Sequence, residues 1–248
     1  MICHPERSEG SAVRRKMQIP RFARDDKLRQ SRMKLRLTKL ALFLAALIPL
    51  GRLLWKAFHA GLGANPIEVI THSTGDWTLI FVLTTLAITP LRRLTRQYWL
   101  IGVRRMIGLF AFFYGTLHFL TYIWLDKFFD VHEMLKDIAK RRFITVGFSA
   151  FVLMIPLALT STTWSIRRLG GQNWQRLHRL IYLTGILAVV HYTWLVKADR
   201  RKPFEYGIVL SILLAYRVGV WASEKASKNR KQPDLLAPAR SRGEATKA

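Results

Sequence analysis

Cysteine is almost absent from this sequence, because the 248 residues contain only Cys3. A single cysteine excludes an intrachain disulfide framework, and it also excludes zinc and iron–sulfur centres that several cysteines ligate. Any metal bound by this chain must therefore be held mainly by histidine, and the sequence contains seven histidines.

Acidic residues are also scarce, with 15 Asp and Glu against 40 Lys and Arg, which gives a formal net charge of +25. Half of the residues are nevertheless hydrophobic. These facts conflict for a soluble protein, but they agree if apolar membrane spans alternate with basic flanking segments. A basic composition is also typical of nucleic-acid-binding proteins, but the apolar runs here are too long and too regular for that class. The composition predicts a protein that contacts membrane lipid and binds no nucleic acid.

Six apolar segments are interpreted as membrane spans, although the second is short. They are Leu37–Phe58, Asp76–Leu91, Met106–Leu125, Phe143–Thr163, Trp174–Val196 and Phe204–Ala222. Backbone polar groups inside lipid must be paired within their own segment, so each span is predicted to be a helix. The eight tryptophans fall at or near the proposed span ends, which is typical of an aromatic belt. The expected fold is all-α, a six-helix transmembrane bundle formed by residues 37–222.

The two ends of the chain are basic or polar. Residues 1–36 carry eleven Lys and Arg, and we expect either a disordered arm or an extension of the gene model ahead of a start at Met33. Residues 223–248, with Pro233 and Pro238, are expected to form a disordered cytoplasmic tail.

Orientation follows from the charges between the spans. Residues 1–36, 92–105, 164–179 and 217–248, on one side of the predicted membrane, carry 28 Lys and Arg. The loops on the other side, residues 59–75, 126–142 and 197–203, carry nine. This bias predicts that both termini are cytoplasmic.

Two histidines lie deep within predicted spans and at similar depth. His118 is about twelve residues from the cytoplasmic end of the third span, and His191 is seventeen residues into the fifth. Polar side chains at such depth are costly and usually functional, and neutral imidazole is a good iron ligand. We therefore predict that both ligate one haem iron from opposite sides in the outer half of the bilayer. Gly108 and Gly115 fall within about 80° of the His118 direction, so they either let a flat macrocycle approach the backbone or serve ordinary helix packing.

His178 lies thirteen residues before His191, and therefore about 20 Å away along one helix. It is expected in the inner half of the bilayer, where it either ligates a second haem or is an interfacial residue near phosphates or haem propionates. Thirteen residues turn a straight helix by a net of about 220°, so the two histidines share a face only if the helix bends, and Gly185 offers a place for this. The third span has Arg105 where a partner histidine for His178 would stand.

Three arginines at the inner span ends are candidate cofactor contacts. Arg104, Arg105 and Arg176 are expected either to anchor lipid headgroups or to pair with haem propionates or a flavin phosphate, since guanidinium binds such anions in a bidentate manner. His59 and His72 fall in the first outer loop, where they are expected to be solvated or to contact a partner protein.

A set of short motifs, in order along the chain, resembles one known family. The motifs are Gly61-Leu62-Gly63-Ala64-Asn65-Pro66, His72-Ser73-Thr74-Gly75, Ile88-Thr89-Pro90-Leu91, Arg104-Arg105-Met106-Ile107-Gly108-Leu109, Leu117-His118, Ala158-Leu159-Thr160-Ser161, Trp174-Gln175-Arg176-Leu177-His178 and His191-Tyr192-Thr193-Trp194. Over about residues 35–220 the chain resembles the haem-binding membrane subunits of bacterial protein-methionine-sulfoxide reductase systems. That family is grouped with the ferric-reductase-like and NADPH-oxidase-like transmembrane cytochromes b.

The resemblance implies an electron conduit in the bacterial inner membrane. The resemblance implies that the protein takes electrons from the quinone pool and passes them through haem b. A cytoplasmic flavin reductase is implied as a further electron donor. The acceptor that it implies is a periplasmic molybdopterin subunit, the partner in a heterodimer, which reduces methionine sulfoxide in oxidised proteins. FMN is implied as a second cofactor, although no flavin motif is visible. By position, the haem histidines of the family correspond to His118, His178 and His191, and the missing fourth histidine of the wider oxidase pattern leaves the haem count open.

Two other classes of function fit part of the sequence. A proton-relay transporter usually carries acidic residues within its spans and shows repeat symmetry, whereas the carboxylates here, Asp76 and Glu205, are close to span ends. A structural membrane anchor for a periplasmic enzyme would not need histidines in the outer half of two helices. The sequence favours a redox subunit, with catalysis on the partner.

Overall fold

The computed structural model describes residues 21–59, 61–196 and 199–231, and this part of the chain contains helices and short connections without a β-strand. Within it, nine α-helices follow one another: α1 (Arg21–Phe58), α2 (Pro66–Thr95), α3 (Trp99–Thr121), α4 (Val131–Lys140), α5 (Arg142–Leu159), α6 (Thr163–Leu169), α7 (Gly171–Leu177), α8 (Leu180–Leu195) and α9 (Arg201–Lys231). A π-helical turn, Tyr122–Asp126, continues α3. The predicted all-α class is confirmed.

Five helical segments in the described part are long and apolar enough to cross a membrane. They are Met33–Phe58, Pro66–Thr95, Trp99–Asp126, Arg142–Leu159 and Arg201–Ser227. These segments match five of the six predicted spans, so the chain is a multi-pass membrane protein. The remaining predicted span corresponds to α8, whose 16 residues extend only about 24 Å, less than the hydrocarbon thickness of about 30 Å.

The fifth predicted span, Trp174–Val196, is corrected by the structure because it is not one helix. α7 ends just before His178, and α8 begins two residues after it. The indole N–H of Trp174 donates to the Thr160 carbonyl at 2.8 Å, and the His178 Nε2 lies 3.1 Å from the Thr160 hydroxyl. These contacts fix α7 to the end of α5, and the α-helix is interrupted at His178 and Arg179 although the hydrophobic run is continuous in sequence.

The second span is longer than predicted, because α2 begins at Pro66 and not near Asp76. Asn65 caps this helix: its Oδ1 accepts from the Glu68 backbone N–H at 3.4 Å, and its amide donates to the Glu68 carboxylate at 2.9 Å. Proline at the first helical position fits this start, since it has no N–H to satisfy. His72, expected in a loop, therefore lies on α2.

Both chain ends contain more helix than predicted. α1 includes residues 21–36 and α9 includes residues 223–231, two stretches that were expected to be disordered. Neither stretch contains proline or glycine, and both are rich in Lys, Arg and other good helix formers. The rest of the predicted arm and tail, residues 1–20 and 232–248, lies outside the described residues. Of the described residues, those up to Leu42 form a compact unit of their own, and those from Phe43 onward form a second, larger unit.

The core of the larger unit lies mainly where α2 packs against α3 and includes the fully buried Val82 and Tyr114. The Tyr114 hydroxyl donates to the Ala46 carbonyl at 2.8 Å and accepts the Leu50 backbone N–H at 3.2 Å. In a regular α-helix these two backbone groups would bond to each other. The hydroxyl is therefore inserted into the α1 hydrogen-bond ladder one residue after Pro49, which joins this part of α1 to α3.

Candidate cofactor site

A cavity of about 530 Å³ lies between α2, α3, α5 and α8. Aromatic and aliphatic side chains form much of its wall, including Phe119, Phe148 and Phe151. The Phe119 and Phe151 rings stack with centroids 4.7 Å apart. A concave, mostly apolar cavity of this volume with a few polar groups is typical of sites for large organic ligands.

His118 enters the cavity from α3, and its ring is fixed by the backbone of α2. Its Nδ1 lies 3.0 Å from the Thr71 carbonyl oxygen, and the Thr74 hydroxyl oxygen is 3.5 Å from the same nitrogen. A carbonyl oxygen can only accept, so Nδ1 carries the proton and Nε2 retains its lone pair. The contact with α2 thus fixes both the orientation and the tautomer of this imidazole.

His191 enters from α8, and its ring is fixed in the same way by α5. Its Nδ1 lies 2.7 Å from the Phe143 carbonyl oxygen. Neither His191 nor His118 has a hydrogen-bond partner for Nε2 within the residues that the structure describes, and both rings line the cavity. A metal ligand whose other ring nitrogen donates to a carbonyl is the usual arrangement in metal-binding histidines.

The two imidazoles are at the spacing that one shared metal ion requires. Their ring centroids are 6.2 Å apart, and their planes are inclined by 75°. Two metal–nitrogen bonds of about 2 Å each, with about 1 Å from each nitrogen to its ring centre, give a centroid separation of about 6 Å.

Two imidazoles alone do not complete a metal site. Among the residues described, no group of three or more His, Cys, Asp or Glu side chains is placed to hold a metal ion. A structural zinc site needs four protein ligands, so the donor set does not fit a bare metal ion. It fits a metal that brings further donors of its own, as a metal–macrocycle does, and His118 and His191 would then supply the protein ligands.

Two glycines make room for the imidazole rings. A Cβ on Gly147 of α5 would lie 2.6 Å from the His191 Nδ1, and one on Gly75 of α2 would lie 3.1 Å from the His118 Cε1. Real Cβ atoms essentially never approach as closely as the first distance. Any larger residue at 147 would therefore displace the His191 ring.

The glycines selected from the sequence have other neighbours. Gly115 lines the cavity, but a Cβ on it would meet Thr78 and Met154, and one on Gly108 would meet Thr85. Gly185 does not bend α8, which is continuous from Leu180 to Leu195, and it packs against Leu210 and Leu86. The α-helix is instead interrupted at His178 and Arg179, away from the place that Gly185 offered for a kink.

The short helix α4 covers one end of the cavity, and an ion cluster fixes it there. The buried Asp137 carboxylate lies 2.6 Å from the Lys127 Nζ and 3.2 Å from the Arg141 Nε. Contact with the Lys127 ammonium, assisted by the Arg141 charge, holds the pKa of Asp137 below its usual value, and the same contact raises the pKa of Lys127. Ile138 and Arg141 line the cavity from this side.

His178 and the candidate arginines lie at the opposite end of the bundle. His178 stacks on Trp174 with ring centroids 3.9 Å apart. Since His178 precedes His191 by thirteen residues, it is about 20 Å from it along the chain direction. Arg104 is partly buried, Arg105 and Arg176 are exposed, and none of these residues lines the cavity.

Arg217 was missed as a candidate at that end of the bundle. It lies on α9, near Arg104, with its guanidinium carbon 5.2 Å from the Tyr182 ring centroid, and its Nε and one Nη are buried without a hydrogen-bond partner among the described residues. Its position inside the predicted span Phe204–Ala222 could have marked Arg217 as a candidate, but the residue was grouped with the basic C-terminal tail.

Several cavity residues were also missed or misplaced. His72 lines the cavity from α2, where its Nε2 is 3.8 Å from the Glu68 carboxylate, and so does Asp76, which is 3.3 Å from the Lys202 ammonium. The polar sequence between Asn65 and Asp76 looks like a loop, which hid these positions. His59 follows α1 and stacks on Trp55 with centroids 3.9 Å apart.

Part of the chain matches a known protein family. Residues 73–189 match the family model described as the ferric reductase like transmembrane component. The helical fold is that of a ferric-reductase-like membrane protein, and the matched range includes His118 but ends two residues before His191. No solved structure matches the chain.

Curated relatives narrow the class further. The chain is 58% identical to the protein-methionine-sulfoxide reductase heme-binding subunit MsrQ of Herminiimonas arsenicoxydans over 197 residues, which cover 79% of this chain and 90% of the relative. It is 54% identical to the protein of the same name from Bordetella pertussis over 182 residues, which cover 73% and 88% of the two chains. For the protein of that name from Rhodospirillum rubrum the identity is 49% over 183 residues, 74% of this chain and 88% of the relative. The chain belongs to the MsrQ family, as its motifs predicted.

Proposed function

We propose that this chain is the haem b electron-transfer subunit of a protein-methionine-sulfoxide reductase system, with the haem between His118 and His191. The observation that carries the proposal is the pair of imidazoles from two helices, with centroids 6.2 Å apart across one cavity. The relatives are named as heme-binding subunits, and the donor set suits a metal that brings its own in-plane ligands.

The residues of this chain would bind and orient the cofactor. A bound haem supplies one-electron redox chemistry. The Thr71 carbonyl keeps the Nδ1 of His118 protonated, and the Phe143 carbonyl does the same for His191. The Nε2 of each ring is therefore directed away from the carbonyl that binds its Nδ1. Phe119, Phe148 and Phe151 give apolar surface for a flat macrocycle and exclude water from it.

We propose that electrons enter from the quinone pool and leave to a periplasmic molybdopterin methionine-sulfoxide reductase subunit, which forms a heterodimer with this chain. Reduction of methionine sulfoxide in oxidised proteins then takes place on that partner. The printed names of the relatives, which describe a subunit of a methionine-sulfoxide reductase, support this division.

The same proposal places the chain in the bacterial inner membrane with six spans, α8 being the short one, and with both termini in the cytoplasm. The excess of Lys and Arg in the segments on the N-terminal side supports this orientation. The α4 end of the bundle then faces the periplasm, so the His118–His191 pair lies nearer the proposed electron acceptor.

At the cytoplasmic end, His178, Arg104, Arg105 and Arg176 are proposed to bind a second cofactor, either another haem or FMN, with a cytoplasmic flavin reductase as donor. Arg104 has no carboxylate within ion-pair distance among the described residues, and a phosphate or propionate would supply the missing anion. As an iron ligand His178 would use Nδ1, because Nε2 contacts the Thr160 hydroxyl.

Spectroscopy of the purified chain tests the proposal. The wild-type protein should show a low-spin b-type signal in a reduced-minus-oxidised spectrum, and His118→Ala and His191→Ala should each lose most of it. His72→Ala is the matched control, because His72 lines the same cavity but its side chain is 42% exposed beside Glu68. This control should keep the signal.

Three results would contradict parts of the proposal. Wild-type protein without haem after haem-replete expression would contradict the redox function. A His118 or His191 variant with full haem and an unchanged spectrum would contradict the pairing. If the chain binds one haem and His178→Ala does not change that amount, His178 is not a haem ligand. A stable complex with a cytoplasmic enzyme alone would contradict the proposed periplasmic partner.

A further inference from the structure

Tyr122 places a buried, unpartnered hydroxyl in the wall of the cavity. Its oxygen is inaccessible to solvent and has no hydrogen-bond partner among the described residues, and the side chain lines the cavity. Buried polar atoms are almost always hydrogen-bonded, so each exception in a binding cavity points to a group that the chain itself does not supply.

The position of Tyr122 is set by the helix that carries His118. Tyr122 is four residues further along and begins the π-helical turn that continues α3. Residues four apart lie on the same face of a helix about one turn apart. The hydroxyl therefore lies on the α4 side of the His118 ring.

Arg141 lies close in the chain to the residue that orients the other imidazole. Arg141 lines the cavity and is two residues before Phe143 in the chain. The Phe143 carbonyl accepts a hydrogen bond from the His191 ring. The Arg141 Nε is 3.2 Å from the Asp137 carboxylate, while its two terminal amino groups have no ion-pair partner in the part of the chain that is described. Tyr122 and Arg141 thus flank the histidine pair at the same end of the cavity.

Arg141 supplies the positive charge of the cavity wall. It is the one Lys or Arg among the described lining residues, whereas Glu68 and Asp76 line the cavity from α2 and Asp126 lines it beside Tyr122. A carboxylate of a bound molecule is attracted to Arg141 and repelled by these three side chains, so it should lie on the Arg141 side of the Tyr122 hydroxyl.

We propose that Tyr122 and Arg141 bind one carboxylate of the cofactor that lies between His118 and His191, and thereby fix its rotation about the axis through the two rings. The inference rests on the proposed haem site, since a haem carries two propionates. The Tyr122 hydroxyl and the Arg141 amino groups would each donate a charge-assisted hydrogen bond to the carboxylate. Both are positioning residues, because neither contacts the iron.

The test measures how fast haem is lost from the holoprotein to an excess of a haem-scavenging apoprotein, together with the low-spin spectrum. Tyr122→Phe and Arg141→Gln should keep the bis-histidine spectrum but release haem about ten to a hundred times faster, the effect of losing one hydrogen bond to a charged group. Tyr122→Phe should not lower the thermal stability of the haem-free protein, because the deleted hydroxyl has no partner within the described chain.

Lys127→Gln is the matched control for Arg141→Gln. It also breaks an ion pair with Asp137, but Lys127 does not line the cavity, so haem loss should stay within twofold of wild type. If Arg141→Gln does not fold, Arg141→Lys keeps the charge without the bidentate fork and should still release haem faster.

Specific outcomes overturn the inference. If both variants release haem at the wild-type rate, or if only one of them changes, the two residues do not share a carboxylate. If Lys127→Gln matches Arg141→Gln, Arg141 acts only through α4. In all of these cases the proposed function still holds if the wild-type protein shows the haem spectrum and His118→Ala loses it. If the wild-type protein contains no haem, the proposed function itself is wrong.

Discussion

Replacing Gly147 by alanine tests how the His191 ring is positioned. The added Cβ would lie 2.6 Å from Nδ1, 2.8 Å from Cε1 and 3.1 Å from Cγ of His191. Ordinary contacts begin near 3.4 Å, so the ring must move by about 0.8 Å or the helices must separate. Gly147 lies inside α5, where backbone hydrogen bonds oppose local adjustment, so we expect the ring to move.

Such a movement disturbs the 2.7 Å contact between the His191 Nδ1 and the Phe143 carbonyl. Loss of a hydrogen bond behind a metal-bound histidine typically lowers metal affinity 10- to 100-fold. We therefore expect Gly147→Ala to weaken haem binding about 10- to 100-fold, equivalent to about 1.4–2.8 kcal/mol. In the haem-free protein the gain of about 1 kcal/mol from alanine inside a helix is offset by an overpacking cost of about 1–3 kcal/mol at the His191 ring, so its thermal stability should be equal to that of wild type or slightly lower.

Haem content per chain, haem-loss rate and thermal stability of the haem-free protein measure these effects. Gly75→Ala needs a shift of only about 0.3 Å at His118, since its Cβ would lie 3.1 Å away, so its effect should be under tenfold. Gly219→Ala has no atom within 4 Å of the added Cβ and should leave haem binding unchanged. Wild-type haem affinity in Gly147→Ala would refute the assignment of this glycine to the histidine site.

Three further substitutions test the supporting structure. Asp137→Asn should loosen α4 and lower the free energy of unfolding by about 1–3 kcal/mol. The pKa of Asp137 is lowered in the folded protein, so the stabilisation by this carboxylate should be complete above its ordinary pKa near 3.8. That stabilisation should be lost as the pH falls through the pKa of the folded protein. Limited proteolysis between pH 6 and pH 3 (about the range in which carboxylates titrate) measures this, and Lys127→Gln should remove most of the pH dependence. Tyr114→Phe should lower thermal stability by about 1–3 kcal/mol, because two backbone groups of α1 lose their partner; an unchanged unfolding temperature would contradict the inserted hydroxyl. Thr160→Val should free the His178 ring and increase its rate of diethyl pyrocarbonate modification severalfold, in proportion to the loss of one hydrogen bond; an unchanged rate would show that the hydroxyl does not restrain it.

The positions of His118 and His191 along apolar runs could be read from the sequence, and their similar depth in the bilayer stays a prediction. That they face each other was a hypothesis at that point, since depth says nothing about which helices are neighbours. The structure places their centroids 6.2 Å apart. Gly147 was not recognisable, because its role depends on the contact between α5 and α8, and no local pattern carries that information.

Hydropathy also misplaced two boundaries. Trp174–Val196 reads as one span because apolarity is continuous, yet the α-helix is interrupted at His178 and Arg179, where two side chains contact Thr160. α2 was started too late because the residues from Pro66 to Gly75 are too polar to read as a span. They are polar because several of them line the cavity, so the site itself obscured the helix that supports it.

Both ring-orienting acceptors are peptide carbonyls, from Thr71 and Phe143, and not side chains. Point mutations at positions 71 and 143 therefore leave the acceptors in place, and selection on the site should act instead on Gly75, Gly147 and the helix contacts. A peptide oxygen is also uncharged, whereas an aspartate in the same place would add a negative charge to a low-dielectric interior and favour the ferric over the ferrous state. The choice of acceptor thus makes the site tolerant of sequence drift and avoids that bias in its redox potential.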